Sequence, residues 1–158
     1  MAKRFWLMKS EPGVYSIADL ERDGTTSWEG IRNYQARNFM RDEMKKGDLV
    51  LFYHSNAEPP GVAGAARVAR AAYPDTHATD PGSRYYDERA TPADPVWVMV
   101  DLEFVERFAD VVALDELKAA PELAGMLVTR KGQRLSVQPV AAEHFDFVRK
   151  SGRARRRK

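Results

Sequence analysis

The sequence predicts a small α+β, barrel-like fold with short helices between its strands. Two observations carry this. Apolar runs of strand length recur at irregular intervals, and the helical stretches between them are short, without the regular strand–helix alternation of a doubly wound sheet. The chain has 158 residues, 44% hydrophobic and 30% charged, a globular balance. That length fits one domain, which buries about 70% of its unfolded surface. The domain is expected over residues 1–150, followed by a basic, disordered tail over 151–158.

Each element has a local reason. Arg4 to Lys9 is a short apolar run bounded by charge, a strand. Ser16-Ile17-Ala18-Asp19 is a capping-box variant opening a short helix that stops before Gly24. Asn33 caps a second helix, about Tyr34 to Met44, with Ala36, Phe39, Met40 and Met44 on one apolar face and Gly47 beyond its end. Asp48 to His54 is apolar on both faces and belongs inside a sheet. Gly61 to Ala71 is a strand of small residues in which Gly64 marks a bulge or a close approach. Val96 to Phe108 is a long strand whose core face carries Val96, Val98, Val100, Leu102 and Phe104; Trp97, within this pattern, reads as core. Leu114 to Ala119 is a helix, and Pro121 opens another. Arg134 to Gln138 is a strand ended by Pro139, and Ala141 to Lys150 is the last helix. Residues 73–95 form a long proline-rich loop, a length that is usually functional or flexible.

Composition excludes several functions. There is no cysteine, hence no disulfide, thiolate metal site or cysteine nucleophile. No apolar stretch is long enough to span a membrane, and the N-terminal apolar run is too short for a signal peptide. His54, His77 and His144 have no metal-ligand spacing, and neither phosphate-loop nor nucleophile-elbow motifs occur. No cofactor, no metal and no catalytic role are expected. Asp75, Asp80, Asp87 and Glu88 sit among prolines and read as solvated. Lys and Arg total 25 against 23 Asp and Glu. Seven of the basic residues lie in 149–158, so residues 1–148 carry a net −5. An acidic body binds nucleic acid only through a local patch or through the tail.

Three stretches combine aromatics with planar hydrogen-bonding groups. Lys9-Ser10-Glu11-Pro12 with Tyr15 closes the first strand. Trp28-Glu29-Gly30-Ile31-Arg32-Asn33-Tyr34-Gln35-Ala36-Arg37-Asn38 follows the first helix. Phe52-Tyr53-His54-Ser55-Asn56 ends the central strand. Such residues suit a flat heteroaromatic ligand, whose face stacks while amides and guanidiniums read its edge. Trp28 on its own is more often core than platform.

On these phrases, and on Tyr73-Pro74-Asp75, Tyr85-Tyr86-Asp87 and Arg134-Leu135-Ser136-Val137-Gln138-Pro139, the sequence resembles the EVE family of the PUA-like superfamily. The agreement runs in order through residues 5–148. The resemblance implies a PUA-like fold related to YTH domains, a curved, barrel-like β-sheet surrounded by short helices, and binding of modified bases in DNA or RNA. Carried onto matching positions, Lys9 and Ser10 fall where YTH domains have a Lys-Ser pair, and Trp28 falls at the first cage tryptophan. Tyr15, Arg32, Asn33, Tyr34, His54, Tyr85, Ser136 and Gln138 are the expected remaining wall and edge readers. Arg37, Arg153, Arg155 and Arg156 are the expected phosphate contacts.

The expected function is a non-enzymatic nucleic-acid-binding module, a cytoplasmic monomer, that takes a modified or flipped base. Two other readings stay open: a sensor of a free nucleobase or nucleoside, and an enzyme using His54 or an aspartate of the 73–95 loop. A base reader of this kind leads to two expectations. Trp28→Ala abolishes preference for a modified base while leaving the fold intact. Deleting 151–158 weakens binding evenly and flattens its salt dependence.

Overall fold

The computed structural model describes residues 3–132 and 134–154. Among them, six strands form one mixed sheet in the order β2-β5-β4-β3-β1-β6. β1 (Phe5–Ser10) lies parallel to β3 (Leu49–His54), with Phe5 opposite Leu49 and Ser10 opposite His54. Asp48 fixes this register. Its buried carboxylate accepts from the Arg4 and Lys45 amides and from Trp6 Nε1, at 2.9–3.0 Å. β4 (Gly61–Pro74) and β5 (Val98–Ala113) form the long antiparallel centre.

β3 has core on both sides, as its two apolar faces require. Val50 and Phe52 join Trp6, Met8, Leu20, Trp28 and Leu102 under α1 (Ile17–Asp23) and α2 (Tyr34–Asn38). Leu51 and Tyr53 join Leu7, Phe108, Leu117 and Phe145 under α3 (Leu114–Ala119) and α4 (Ala142–Ala154). The Ser16–Asp19 capping box forms in both directions, and α1 ends at Gly24. The β3–β4 register slips beside Gly64. A side chain there would meet the Glu106 carbonyl oxygen at 2.3 Å, so the expected close approach is real.

Several expected elements differ. The second helix is α-helical only to Asn38 and continues as a π-helical turn over Phe39–Glu43. Ala36, Met40 and Met44 recur every four residues, which overshoots a 3.6-residue turn. The wider turn keeps all three buried. A short strand, β2 (Thr25–Trp28), ends at Trp28 and pairs with β5; its Thr-Thr-Ser sequence carries no alternation to reveal it. The last strand, β6 (Val137–Val140), contains Pro139 instead of ending at it. Proline is tolerated there because β6 is an edge strand.

The 73–95 stretch is not an unstructured loop. β4 runs on to Pro74, a 3-10 turn covers Thr76–Thr79, and Ala78, Ala90 and Trp97 form a small core of their own. Trp97 is buried there, immediately before β5 begins. The tail expectation also changes. α4 continues to Ala154, Gly152 is packed against the Phe108 ring, and Arg153 joins Arg149 on the Glu106 carboxylate. Residues 151–154 are therefore helical, held by a buried acid. Residues 155–158, with Arg155 and Arg156, lie outside the described residues.

Candidate functional site

A cavity of about 300 Å³ opens where β1 and β2 end. Ser10 and Tyr15 form one side, and Thr26, Ser27 and Trp28 the floor. Glu29, Gly30 and Tyr85 close the other side. Val14, 56% exposed, stands at the mouth. Ser10 Oγ donates to the Tyr15 carbonyl at 2.6 Å, which fixes the turn between β1 and α1. Tyr15 donates its hydroxyl to Asp23 at 2.8 Å; burial, with the negative charge of Asp23, raises its pKa. Lys9 reaches the wall at the end of β1, with its ammonium 5.7 Å from the Tyr53 ring centre and its pKa lowered by burial.

Trp28 is a floor and not an open platform. Pairing of β2 with β5 sets the indole edge-on against Phe52, and the residue is only 7% exposed. It still lines the cavity. Removing it to alanine therefore takes out a core side chain, a change that costs about 3–5 kcal/mol, so the expectation of an undisturbed Trp28→Ala fold does not hold.

Glu29 is a cavity residue that the sequence reading passed over. Its Oε2 accepts from Ser27 Oγ at 3.2 Å and lies 3.0 Å from His77 Nε2. Among the described residues its other oxygen accepts no hydrogen bond. Nothing in the sequence separated this glutamate from a solvated one.

The wall opposite β1 is held by Asp75, which is fully buried and not solvated as expected. One oxygen accepts from the Gly30 amide at 3.0 Å and from Arg32 at 3.2 Å; the other accepts from the His77 amide at 2.9 Å. Arg32 also donates twice to the Tyr85 carbonyl and once to that of Ile31. Gly30 has φ +80°, and a β-carbon there would stand 2.6 Å from the Tyr85 ring. Glycine is thus needed both for the turn and for the contact. Asp75, Arg32 and Gly30 together press Tyr85 against the cavity.

The expected site residues divide accordingly. Lys9, Ser10, Tyr15, Trp28 and Tyr85 come together at the cavity. Arg32 stands behind its wall. Asn33 caps α2 by accepting from the Ala36 amide at 3.0 Å. Tyr34 is half exposed and stacks on Trp97, 4.9 Å between ring centres. His54 Nε2 accepts from the Ile17 amide at 3.1 Å; burial first, then the nearby Arg107 charge, lowers its pKa. Ser136 offers its carbonyl to the Lys9 amide. Gln138 pairs with Leu7, on the sheet face away from Trp28, and donates to the Leu135 carbonyl. Arg37 donates to the Val96 carbonyl and to Asn38.

Comparison with known proteins fits this architecture. The EVE domain family model matches residues 4–151. The chain belongs to the EVE family. Human thymocyte nuclear protein 1 is 44% identical to it over 163 residues, covering 90% of this chain and 71% of that one. Among solved structures, this EVE domain resembles a hypothetical protein from Leishmania major at TM-score 0.92 and 46% identity, covering 98% of both chains. It also resembles human thymocyte nuclear protein 1 in complex with DNA containing 5-methylcytosine, at TM-score 0.86 and 41% identity, covering 95% of this chain and 98% of that one. The mixed sheet with short helices is therefore the PUA-like α+β fold of EVE domains. Among the described residues, no helix is long and apolar enough to cross a membrane, and no group of three His, Asp or Glu is placed to hold a metal ion.

Proposed function

We propose that this EVE domain binds DNA and takes a 5-methylcytosine, extruded from the duplex, into the cavity between Trp28, Tyr15 and Tyr85. The observation that carries the reading is the cavity's composition: an aromatic floor and wall beside a carboxylate with one open oxygen. The human relative's complex with 5-methylcytosine DNA supports it. At about 300 Å³ the cavity is at the small end of ligand pockets, suited to one base.

Recognition has three parts. Extrusion costs a few kcal/mol. Contact with the aromatic walls returns about 1–3 kcal/mol. Glu29 accepts from the exocyclic amino group of cytosine, the natural partner of a carboxylate. The methyl group adds a smaller increment: burying it is worth about 0.8 kcal/mol, about a fourfold preference. A larger preference requires that the unmethylated base leave a void or an unpaired group.

Titration of the full chain with a duplex carrying one 5-methylcytosine, and with its unmodified twin, tests this. The modified duplex binds at least about fourfold more tightly, and Glu29→Gln weakens both. Equal affinity for the two duplexes contradicts the reading. Free 5-methyldeoxycytidine binding as tightly as the oligonucleotide would replace it with a sensor of free nucleosides.

A further inference from the structure

A second cleft, of about 490 Å³, shares Tyr85 with the base cavity. Arg32, Arg84, Arg89, Asp87 and Trp97 also line it. We propose that this cleft is a phosphate site, in which Arg84 holds the backbone phosphate of a nucleotide flanking the one in the base cavity. The inference deepens the reading above and rests on it.

The geometry singles out Arg84. Arg32 is spent on the Tyr85 and Ile31 carbonyls and on Asp75. Arg89 is spent on Asp87 and the Tyr34 hydroxyl. Two of the four arginines expected at phosphates are spent as well: Arg37 on the Val96 carbonyl and Asn38, Arg153 on Glu106. Arg84 is exposed and makes no ion pair among the described residues; its guanidinium sits 5.0 Å from the Tyr85 ring centre. One ring thus separates a slot for a base from an unspent cation, the relation of a base to its own strand's backbone.

The cleft is held in shape before any ligand arrives. Trp97 Nε1 donates to Asp87 at 2.8 Å, the Asp87 amide donates to the Ala78 carbonyl at 2.9 Å, and Arg32 clamps the Tyr85 carbonyl. Asp87 is neutralised by Arg89. Glu88 also lines the cleft and is the carboxylate a phosphate would face.

The test compares wild type, Arg84→Gln, Arg84→Lys and Glu88→Gln on the same two duplexes between 50 and 200 mM salt. Arg84→Gln is expected to weaken both duplexes about tenfold and to reduce the slope of log K against log salt by about 0.9. The preference for the modified base stays as in wild type. Arg84→Lys restores the slope, and Glu88→Gln tightens both duplexes. An unchanged slope and affinity in Arg84→Gln overturn the phosphate site, as does a change in base preference without a change in slope. Wild type that binds both duplexes equally, with the slope still falling in Arg84→Gln, removes the base reading and leaves the phosphate site standing. Wild type that binds neither duplex overturns both.

Discussion

Gly30 is the residue on which the cavity wall turns. Its backbone lies in the left-handed region and its missing side chain leaves room for Tyr85. Gly30→Ala is expected to cost about 1–2 kcal/mol, to lower Tm by several degrees and to displace Tyr85. Thermal melts read the first effect, and loss of preference for the modified duplex reads the second. His54 gives a pH dependence. Its pKa is lowered below the ordinary 6.5 by burial and by Arg107, and its Nε2 must stay unprotonated to accept from Ile17. The folded state therefore favours the neutral ring. That contribution is complete above pH 6.5 and is lost as pH falls from there through the folded-state pKa. Wild-type Tm should drop between pH 6.5 and 5 more steeply than that of His54→Gln; parallel curves would take His54 out of the acid response. At this scale the sequence grouped the aromatics into a few short phrases but did not show where each one goes. Asn33 and Tyr34 share a short phrase with Trp28 and His54 sits in a similar one, and only the fold reveals that they cap, stack and brace outside the cavity.

Among the elements, the segment between β4 and β5 does most to complete the site. It supplies Tyr85, and Asp75 fastens it to the loop after β2. Asp75→Asn keeps the shape but replaces one acceptor oxygen with a donor, setting an N–H against an N–H. It is expected to cost about 1–3 kcal/mol and to raise hydrogen exchange across Gly30 and residues 84–86. Protection unchanged at those amides would show that the segment is held by its Trp97 core alone. α4 is fixed in a similar way. Burial pushes the Glu106 pKa up, but Arg153 and Arg149 outweigh it and hold the carboxyl below its usual range. Glu106→Gln should loosen residues 149–154, seen as faster exchange there, with little change at the cavity lined by Trp28 and Tyr85. The strands with strong apolar patterning, β1, β3 and β5, were legible in the sequence. β2 was not, because its four residues are mostly polar and gain strand character only by pairing with β5. The π-helical turn was hidden for another reason, since a four-residue apolar spacing reads as ordinary helix until packing is known.

For the whole molecule, charge and shape divide the work. The body is net acidic, so on the proposed reading a nucleic acid is met locally, and the cavity and the Tyr85 cleft are the adjoining surfaces that reading assigns to it. The basic C-terminus is the other candidate, and helix α4 sets where it can be cut. Deleting 155–158 should flatten the salt dependence without lowering Tm, whereas deleting 151–158 also removes Arg153 from Glu106 and lowers Tm. If the shorter deletion leaves the slope unchanged, the four basic residues play no part in binding. The family and fold class were readable from motifs in order along the chain, because strand ends and turns carry them. The cavity was readable only in part, because its far wall comes from a distant segment brought in by a buried aspartate. The most direct measurement of the central claim is a map of backbone amide shifts as the full chain is titrated with the 5-methylcytosine duplex. The account predicts the largest shifts at Tyr15, Ser27 to Gly30 and Tyr85. Shifts centred instead on the separate cavity beside Phe39, Glu43 and Ala142, with Ser27 to Gly30 unmoved, would contradict it.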